Sequence, residues 1–245
     1  MKRVLILPLL FFISSSTTAQ RLTKNQAEYF ILGTISDSDG RYVNPNSKNE
    51  FDYYFQWEKP LVSMIDSIVK VNYPNISFQL KQNEYIEAFA QYCSIYSYSL
   101  CHKFEKYYKF KPTGTFTYPE GDAEYYGLLK DSIFKTDDEK LAFLAGAYAR
   151  FGVTTDTAYC IHISESVSKV KRCYNLLKEF KCEATYKRIN NIPTQILVYF
   201  HPTAKVETYL QKFMYLNKRI QDERHQIVQG VFDKYSKKDT LKKNK

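Results

Sequence analysis

Apolar residues recur at three- and four-residue steps through Leu61, Met64, Ile65, Ile68 and Val71, the spacing that stacks side chains on one face of a helix. The pattern predicts a helix over residues 59–73, opened by Pro60, whose fixed φ suits a first turn, and stopped by Pro74. A longer helix is expected over residues 82–108, with Ile86, Phe89, Ala90, Cys93, Tyr96, Leu100 and Phe104 on one side. A third opens with Thr136-Asp137-Asp138-Glu139, a capping box in which Thr136 and Glu139 satisfy each other's exposed backbone donors. It is expected to close at Gly152 as a left-handed stop. Its Ala142, Ala145, Gly146, Ala147 and Ala149 let another element approach closely, which makes it central to the core.

Other stretches carry weaker patterns. A short helix is expected over residues 24–31, followed by Asp37-Ser38-Asp39-Gly40, which reads as a turn. A calcium loop there fails, because Ile35 would stand where the first carboxylate belongs and Asn46 where the bidentate glutamate belongs. Residues 46–54 are polar and aromatic without a clear period. Residues 112–127 read as a loop with a short strand at 115–118.

After Gly152 the pattern changes. Residues 158–163 alternate as a strand, and Val167, Val170, Tyr174 and Leu177 mark a helix. Strands are expected over residues 183–189 and 194–201, the second apolar on both faces over residues 196–200, as in a central strand. A final helix starts at Thr203 and keeps a 4-3-4-3 apolar spacing to about Tyr235. The fold class is α+β: three N-terminal helices packed with a β-α-β-β-α unit ending in a long C-terminal helix. Residues 20–235 form a single compact domain, with a helical part over 20–152 and the β-α-β-β-α part over 153–235. No internal repeat or linker is evident.

The N-terminus changes the address. Lys2 and Arg3 precede an unbroken apolar run from Val4 to Ile13, and small and hydroxylic residues lead to Ala19. That order predicts a signal peptide over residues 1–19, with an exported protein, periplasmic or secreted, beginning near Gln20. The run is too short to span a bilayer, which takes about twenty residues, and no later segment approaches that length.

Charge narrows the partners. The formal net charge is +9, but Lys2 and Arg3 leave with the leader and the tail over residues 236–245 carries +4. A body left at +3 shows little of the basic face of a nucleic-acid domain, so nucleic acid is not expected as a partner. The tail reads as a solvated, disordered basic end. The 22 Tyr and 17 Phe serve a core as readily as a stacking surface.

Five cysteines follow the leader: Cys93, Cys101, Cys160, Cys173 and Cys182. Their odd number leaves at least one thiol unpaired within the chain. Cys93 and Cys101, eight residues apart on one helix, stand about 12 Å apart, beyond the roughly 7 Å Cα limit of a disulfide. There is no CxxC and no Cys/His cluster at zinc spacing, so neither a metal nor a cofactor is expected.

One constellation is worth testing. His162-Ile163-Ser164 and His201-Pro202-Thr203 each place a histidine two residues before a hydroxyl that could cap the following helix. A split β-α-β sheet would set the first and third strands side by side and parallel. Both histidines would then meet one sheet edge near two helix N-termini, a place that favours anions. The candidate ligand-binding residues are His162, Ser164, His201, Thr203 and Cys160, the last on the same strand face as His162. Glu120, Asp122 and Glu124 form the densest carboxylate cluster outside helix starts, and read as a solvated loop. No serine nucleophile elbow, phosphate-binding glycine loop or HExxH helix is present.

The strand-helix-strand-strand-helix order over residues 158–213 resembles that of the small peptidoglycan-binding SPOR domains of bacterial envelope proteins. The resemblance is one of element order. Their glycine-containing strand ends are replaced here by His162-Ile163-Ser164 and His201-Pro202-Thr203, and their last strand is absent. The expected function is therefore an exported, non-catalytic protein that binds a ligand or envelope component. A cell-wall-binding module is the first alternative, and a Cys160-dependent hydrolase or thiol enzyme the second.

Overall fold

The computed structural model describes residues 22–37, 41–43, 49–82, 92–117, 123–155, 158–164, 168–190 and 194–243. The expected signal peptide lies outside them, as do Ser38, Asp39 and Gly40 of the expected turn and Glu120 and Asp122 of the carboxylate cluster. The fold is α+β.

The first half runs α1 (Lys24–Thr34), β1 (Arg41–Val43), β2 (Glu50–Phe55), a 3-10 turn (Gln56–Glu58) and α2 (Lys59–Asn72). It continues with β3 (Gln79–Gln82), β4 (Tyr92–Tyr96) and α3 (Tyr98–Glu105). A hairpin, β5 (Tyr108–Thr117) and β6 (Ala123–Leu129), leads to α4 (Asp137–Phe151) and β7 (Gly152–Thr154). The chain ends with β8 (Tyr159–Ser164), α5 (Lys169–Glu179), β9 (Glu183–Ile189), β10 (Gln195–His201) and α6 (Ala204–Lys243).

A repeat is present in topology although none shows in sequence. Each half runs helix, two strands, helix, two strands, helix. In the first, the sheet order is β2-β4-β3; in the second it is β7-β8-β10-β9, with the three corresponding strands in the same sequence. The first half differs in that β1 joins the hairpin in a sheet ordered β1-β6-β5.

The two halves meet through α1 and α4. A Cβ at Gly33 would lie 2.2 Å from the Phe143 carbonyl oxygen, and one at Gly146 would lie 2.0 Å from that of Phe30. Only glycine permits this approach, because real Cβ atoms keep well beyond such distances. Ala142, Ala145 and Ala149 are fully buried around it. The core continues through Phe30, which stacks on Phe213 of α6 with centroids 4.6 Å apart.

Several sequence expectations change here. Of the helix expected over residues 82–108, residues 83–91 lie outside the described residues, and the rest holds the end of β3, then β4, α3 and the start of β5. The aromatic-rich run satisfies a helical spacing, but β4 pairs with both β2 and β3, and these ladder bonds outweigh local preference. Ser97 then caps α3 by accepting the Leu100 N–H at 3.3 Å. Gly152 has φ −75° and ψ 143°, so it is extended and begins β7 rather than forming a left-handed stop. The patternless stretch contains β2, and the expected loop is the β5–β6 hairpin. Helix α6 runs on to Lys243, through most of the segment read as a disordered tail. The capping box at Thr136 and Glu139 is present, and α2 opens with Pro60 in its first turn.

Glu28 ties α1 to its neighbours. It accepts from Lys103 at 2.5 Å and Lys106 at 2.7 Å, from the Tyr73 hydroxyl at 3.1 Å and from the Tyr107 hydroxyl. Burial raises its pKa, but the bonds from Lys103, Lys106 and Tyr107 outweigh that and hold it at about 2 against an ordinary 4.5.

Two predictions follow from this packing. Gly146→Ala should cost about 2 kcal/mol or more, because the added methyl meets backbone. Gly230→Ala, in α6 with nothing within 4 Å of its Cβ, should gain up to about 1 kcal/mol; equal urea midpoints for the two variants would refute the close-packed helix pair. For Glu28, the folded pKa lies below the unfolded one. Its stabilisation, on the order of 3 kcal/mol, is therefore full above about 4.5 and is lost as pH falls through about 2. In urea melts the gap between wild type and Glu28→Gln should be widest near neutrality and close across that window.

Candidate functional site

The C-terminal ends of α1 and α4 converge where the two halves meet, and both ends are closed mainly by side chains from the second half. A helix leaves its last four carbonyls unpaired. At α1, Thr34 Oγ1 donates to the Ile31 carbonyl at 2.8 Å. Lys169 Nζ donates to Leu32 at 2.8 Å and Gly33 at 3.1 Å. Arg150 Nη1 donates to the Thr34 carbonyl at 2.7 Å. At α4, Asn217 Nδ2 donates to the carbonyls of Tyr148, Ala149 and Gly152.

Arg150 is the hub. Besides the Thr34 carbonyl it reaches Asp52 at 2.8 Å and Glu58 at 2.8 and 3.2 Å, and it donates to the Tyr53 carbonyl at 2.7 Å. All five guanidinium donors are thus used, and the group lies 4.3 Å from the Tyr54 ring centroid. Burial works against its charge, but Glu58 and Asp52 overcome it and hold the guanidinium firmly protonated. The carboxylates are equally committed: Asp52 also accepts the Ser36 N–H at 2.8 Å, and Glu58 that of Phe55 at 2.7 Å. Asp37 accepts the Ser168 hydroxyl at 2.6 Å and the Lys169 N–H at 3.0 Å. Lys169 is wholly buried, and desolvation pushes its pKa down to about 8.

Above this network lies a cavity of about 350 Å³ between the halves. Tyr53, Phe55 and Trp57 line one side, His162, Ile163 and Ser164 the other, and Gln221 and Arg224 of α6 a third. Phe55 and Trp57 stack with centroids 4.6 Å apart and planes 11° from parallel. The Arg224 guanidinium lies 5.9 Å from the Trp57 ring centroid.

The cavity gathers two of the five sequence candidates, His162 and Ser164. His162 Nε2 is 3.2 Å from Gln195 Oε1. The other three lie elsewhere, His201 and Thr203 because β8 and β10 pair antiparallel rather than parallel. His162 sits opposite Leu197, so His201 is four residues, or about 13 Å, further along β10. The two histidines share a sheet face but not an end, and the expected two-helix anion site does not form. Thr203 goes with His201. Cys160 is 2% exposed, and burial raises its thiol pKa to about 11, the reverse of an activated nucleophile. All five cysteines are free. Cys93 lies on β4 and Cys101 on α3, not on one helix.

Sequence reading missed Arg150, Trp57, Glu58 and Arg224. The available signals were the lone tryptophan and an arginine in the last turn of an otherwise apolar and small-residue helix.

No family model matches the sequence, and comparison with curated proteins finds no match. Solved structures do match in fold. A variant of I-DmoI in complex with nicked target DNA and Mn superposes with a TM-score of 0.51 at 13% identity, covering 78% of this chain and 98% of that one. I-DmoI in complex with DNA and Ca gives 0.50 at 11% identity, covering 78% and 91%. A looser likeness, TM-score 0.43 at 13% identity over 85% and 93%, is to the N-terminal LAGLIDADG domain of DUF199/WhiA. The two I-DmoI likenesses correct the sequence reading. An exported, non-catalytic envelope-binding protein for which nucleic acid is excluded does not stand beside a fold seen with DNA bound. The cell-wall-binding alternative goes with it: it rested on strand-helix-strand-strand-helix order alone, and that order is here one half of a topological repeat. The periplasmic or secreted address falls with them, because it belonged to the envelope-binding reading and the matched structures are of DNA complexes.

Proposed function

We propose that this protein binds nucleic acid, double-stranded DNA first among candidates, across the less buried faces of two of its antiparallel sheets, β2-β4-β3 and β7-β8-β10-β9. The observation that carries the proposal is architectural. Two sheets of matching strand order flank one glycine-to-glycine helix pair, in a fold shared with I-DmoI structures solved in complex with DNA. The major groove of B-DNA admits β-ribbons, and sheets are an established reading element.

Strand alternation decides which side chains are offered. On β10, Ile196, Val198 and Phe200 are buried while Gln195, Leu197 and Tyr199 are not. Cross-strand pairing adds His162 and Lys187 opposite Leu197. In the other sheet Tyr53 pairs with Ser94, and Ser94 with Lys81, while Phe55 pairs with Tyr92. Lys81 Nζ lies 4.1 Å from the Tyr96 ring centroid. Each face thus offers a lysine among aromatic and hydrogen-bonding groups, and the β5–β6 hairpin adds exposed Lys109 and Lys111.

The I-DmoI structures also contain Ca or Mn, but the groups described here do not fit a divalent cation. Among the described residues no group of three His, Cys, Asp or Glu could hold a metal. Asp37, Asp52 and Glu58 are engaged by Ser168, Lys169 and Arg150.

Fluorescence anisotropy with a labelled duplex of random sequence tests the proposal. Non-specific DNA binding falls on the order of 10⁻⁴–10⁻⁶ M and weakens with salt by about 0.9 log units per phosphate contact for each tenfold rise in salt. Few lysines line the faces, so a shallow slope of roughly −2 to −4 is expected. Lys81→Ala with Lys187→Ala should reduce that slope by about 2. No anisotropy change at about 100 µM protein in low salt would refute DNA binding by this surface.

A further inference from the structure

The cavity between the halves joins Tyr53, Phe55 and His162 of the duplex-binding faces to Trp57 and Arg224, which those faces do not include. We infer that it is a nucleotide pocket: a nucleobase stacks against the Phe55–Trp57 wall while its phosphate meets Arg224 and His162. This inference rests on the nucleic-acid reading and deepens it.

Four features support it. The volume of about 350 Å³ lies at the small end of the roughly 300–1,000 Å³ range of small-molecule sites, room for one nucleotide but not for a run of strand. Phe55 and Trp57 are stacked nearly flat on one another and form a planar wall, the surface on which bases of any sequence stack. Arg224 lies over that wall, 5.9 Å from the Trp57 centroid. Among the described residues no carboxylate pairs with it, although Arg150 beneath is saturated by Asp52 and Glu58. The anion-binding charge is therefore Arg224, backed by the His162 ring, while Arg150 fixes the floor. The fourth feature is polarity at the rim: Ser36, Ser164 and Gln221 border the cavity and supply hydrogen-bonding groups for base edges and sugar.

A base can reach the pocket from two sources with the same chemistry, a free nucleotide or a nucleotide presented by a bound strand. Trp57 is the one tryptophan of the chain, so emission excited at the red edge, where the 22 tyrosines absorb little, reports on this wall. Full-length protein is titrated with dAMP, and separately with a single-stranded dA oligonucleotide. Saturable quenching by both assigns the pocket to free nucleotides. Quenching by the oligonucleotide alone assigns it to a base presented by a strand. Arg224→Gln, at an exposed position, should weaken the quenching ligand about tenfold, and His162→Gln should weaken it less. Circular dichroism confirms that both variants remain folded. Unchanged Trp57 emission with both ligands overturns the pocket, as does equal affinity in wild type and Arg224→Gln. Duplex anisotropy, measured separately, distinguishes that outcome from failure of DNA binding itself.

Discussion

Two cations of the second half close the end of the first half's central helix, and the rest of the structure is arranged around that junction. Thr34 offers its carbonyl to Arg150, while Leu32 and Gly33 offer theirs to Lys169. Unpaired carbonyls at a buried helix end carry a partial negative charge and a desolvation penalty, so the cations are not interchangeable with apolar groups. A buried arginine needs partners on every donor, and Asp52, Glu58 and the Tyr53 carbonyl supply the remaining ones. The first sheet is held by the same bonds, since Asp52 and Tyr53 lie on β2. One guanidinium thus fixes the helix pair, the first sheet and the floor of the cavity in a single geometry.

The approach of α1 and α4 makes this possible. With glycine at the crossing on both helices, their C-terminal ends come near enough for side chains of one half to reach backbone of the other. Larger residues there would part the helices and leave Asp52 and Glu58 buried without a counter-charge, a state costing several kcal/mol. The cavity above the junction is walled by β2 and its 3-10 turn, by β8 and by α6. Its aromatic side belongs to one half and its histidine to the other, so it exists only in the assembled pair.

Elements with strong periodicity were legible in the chain. The 4-3-4-3 spacing of α6, the Pro60 opening of α2, the capping box of α4 and the strands β8, β9 and β10 all follow from local pattern. The first-half strands were not legible, because Tyr and Phe fit either period and β4 is set by partners on both sides. Gly146 among alanines announced a close contact, but its partner Gly33 sits in an ordinary apolar run. Of the five proposed site residues, only His162 and Ser164 border the cavity. Strand direction separated His201 and Thr203 while burial took Cys160, and direction is not written in the alternation of a strand.

The sequence by itself determined the α+β class, where the later strands and the long helices lie, and a thiol set with no metal spacing. It determined these because side-chain period and capping chemistry act over a few residues. The tertiary structure alone decided the topological repeat, the antiparallel β8–β10 pair and the engagement of Arg150 with Asp52 and Glu58 from 92 to 98 positions away. Such contacts are chosen by whole-molecule packing and by the need to satisfy buried charge, which no local window of the chain contains.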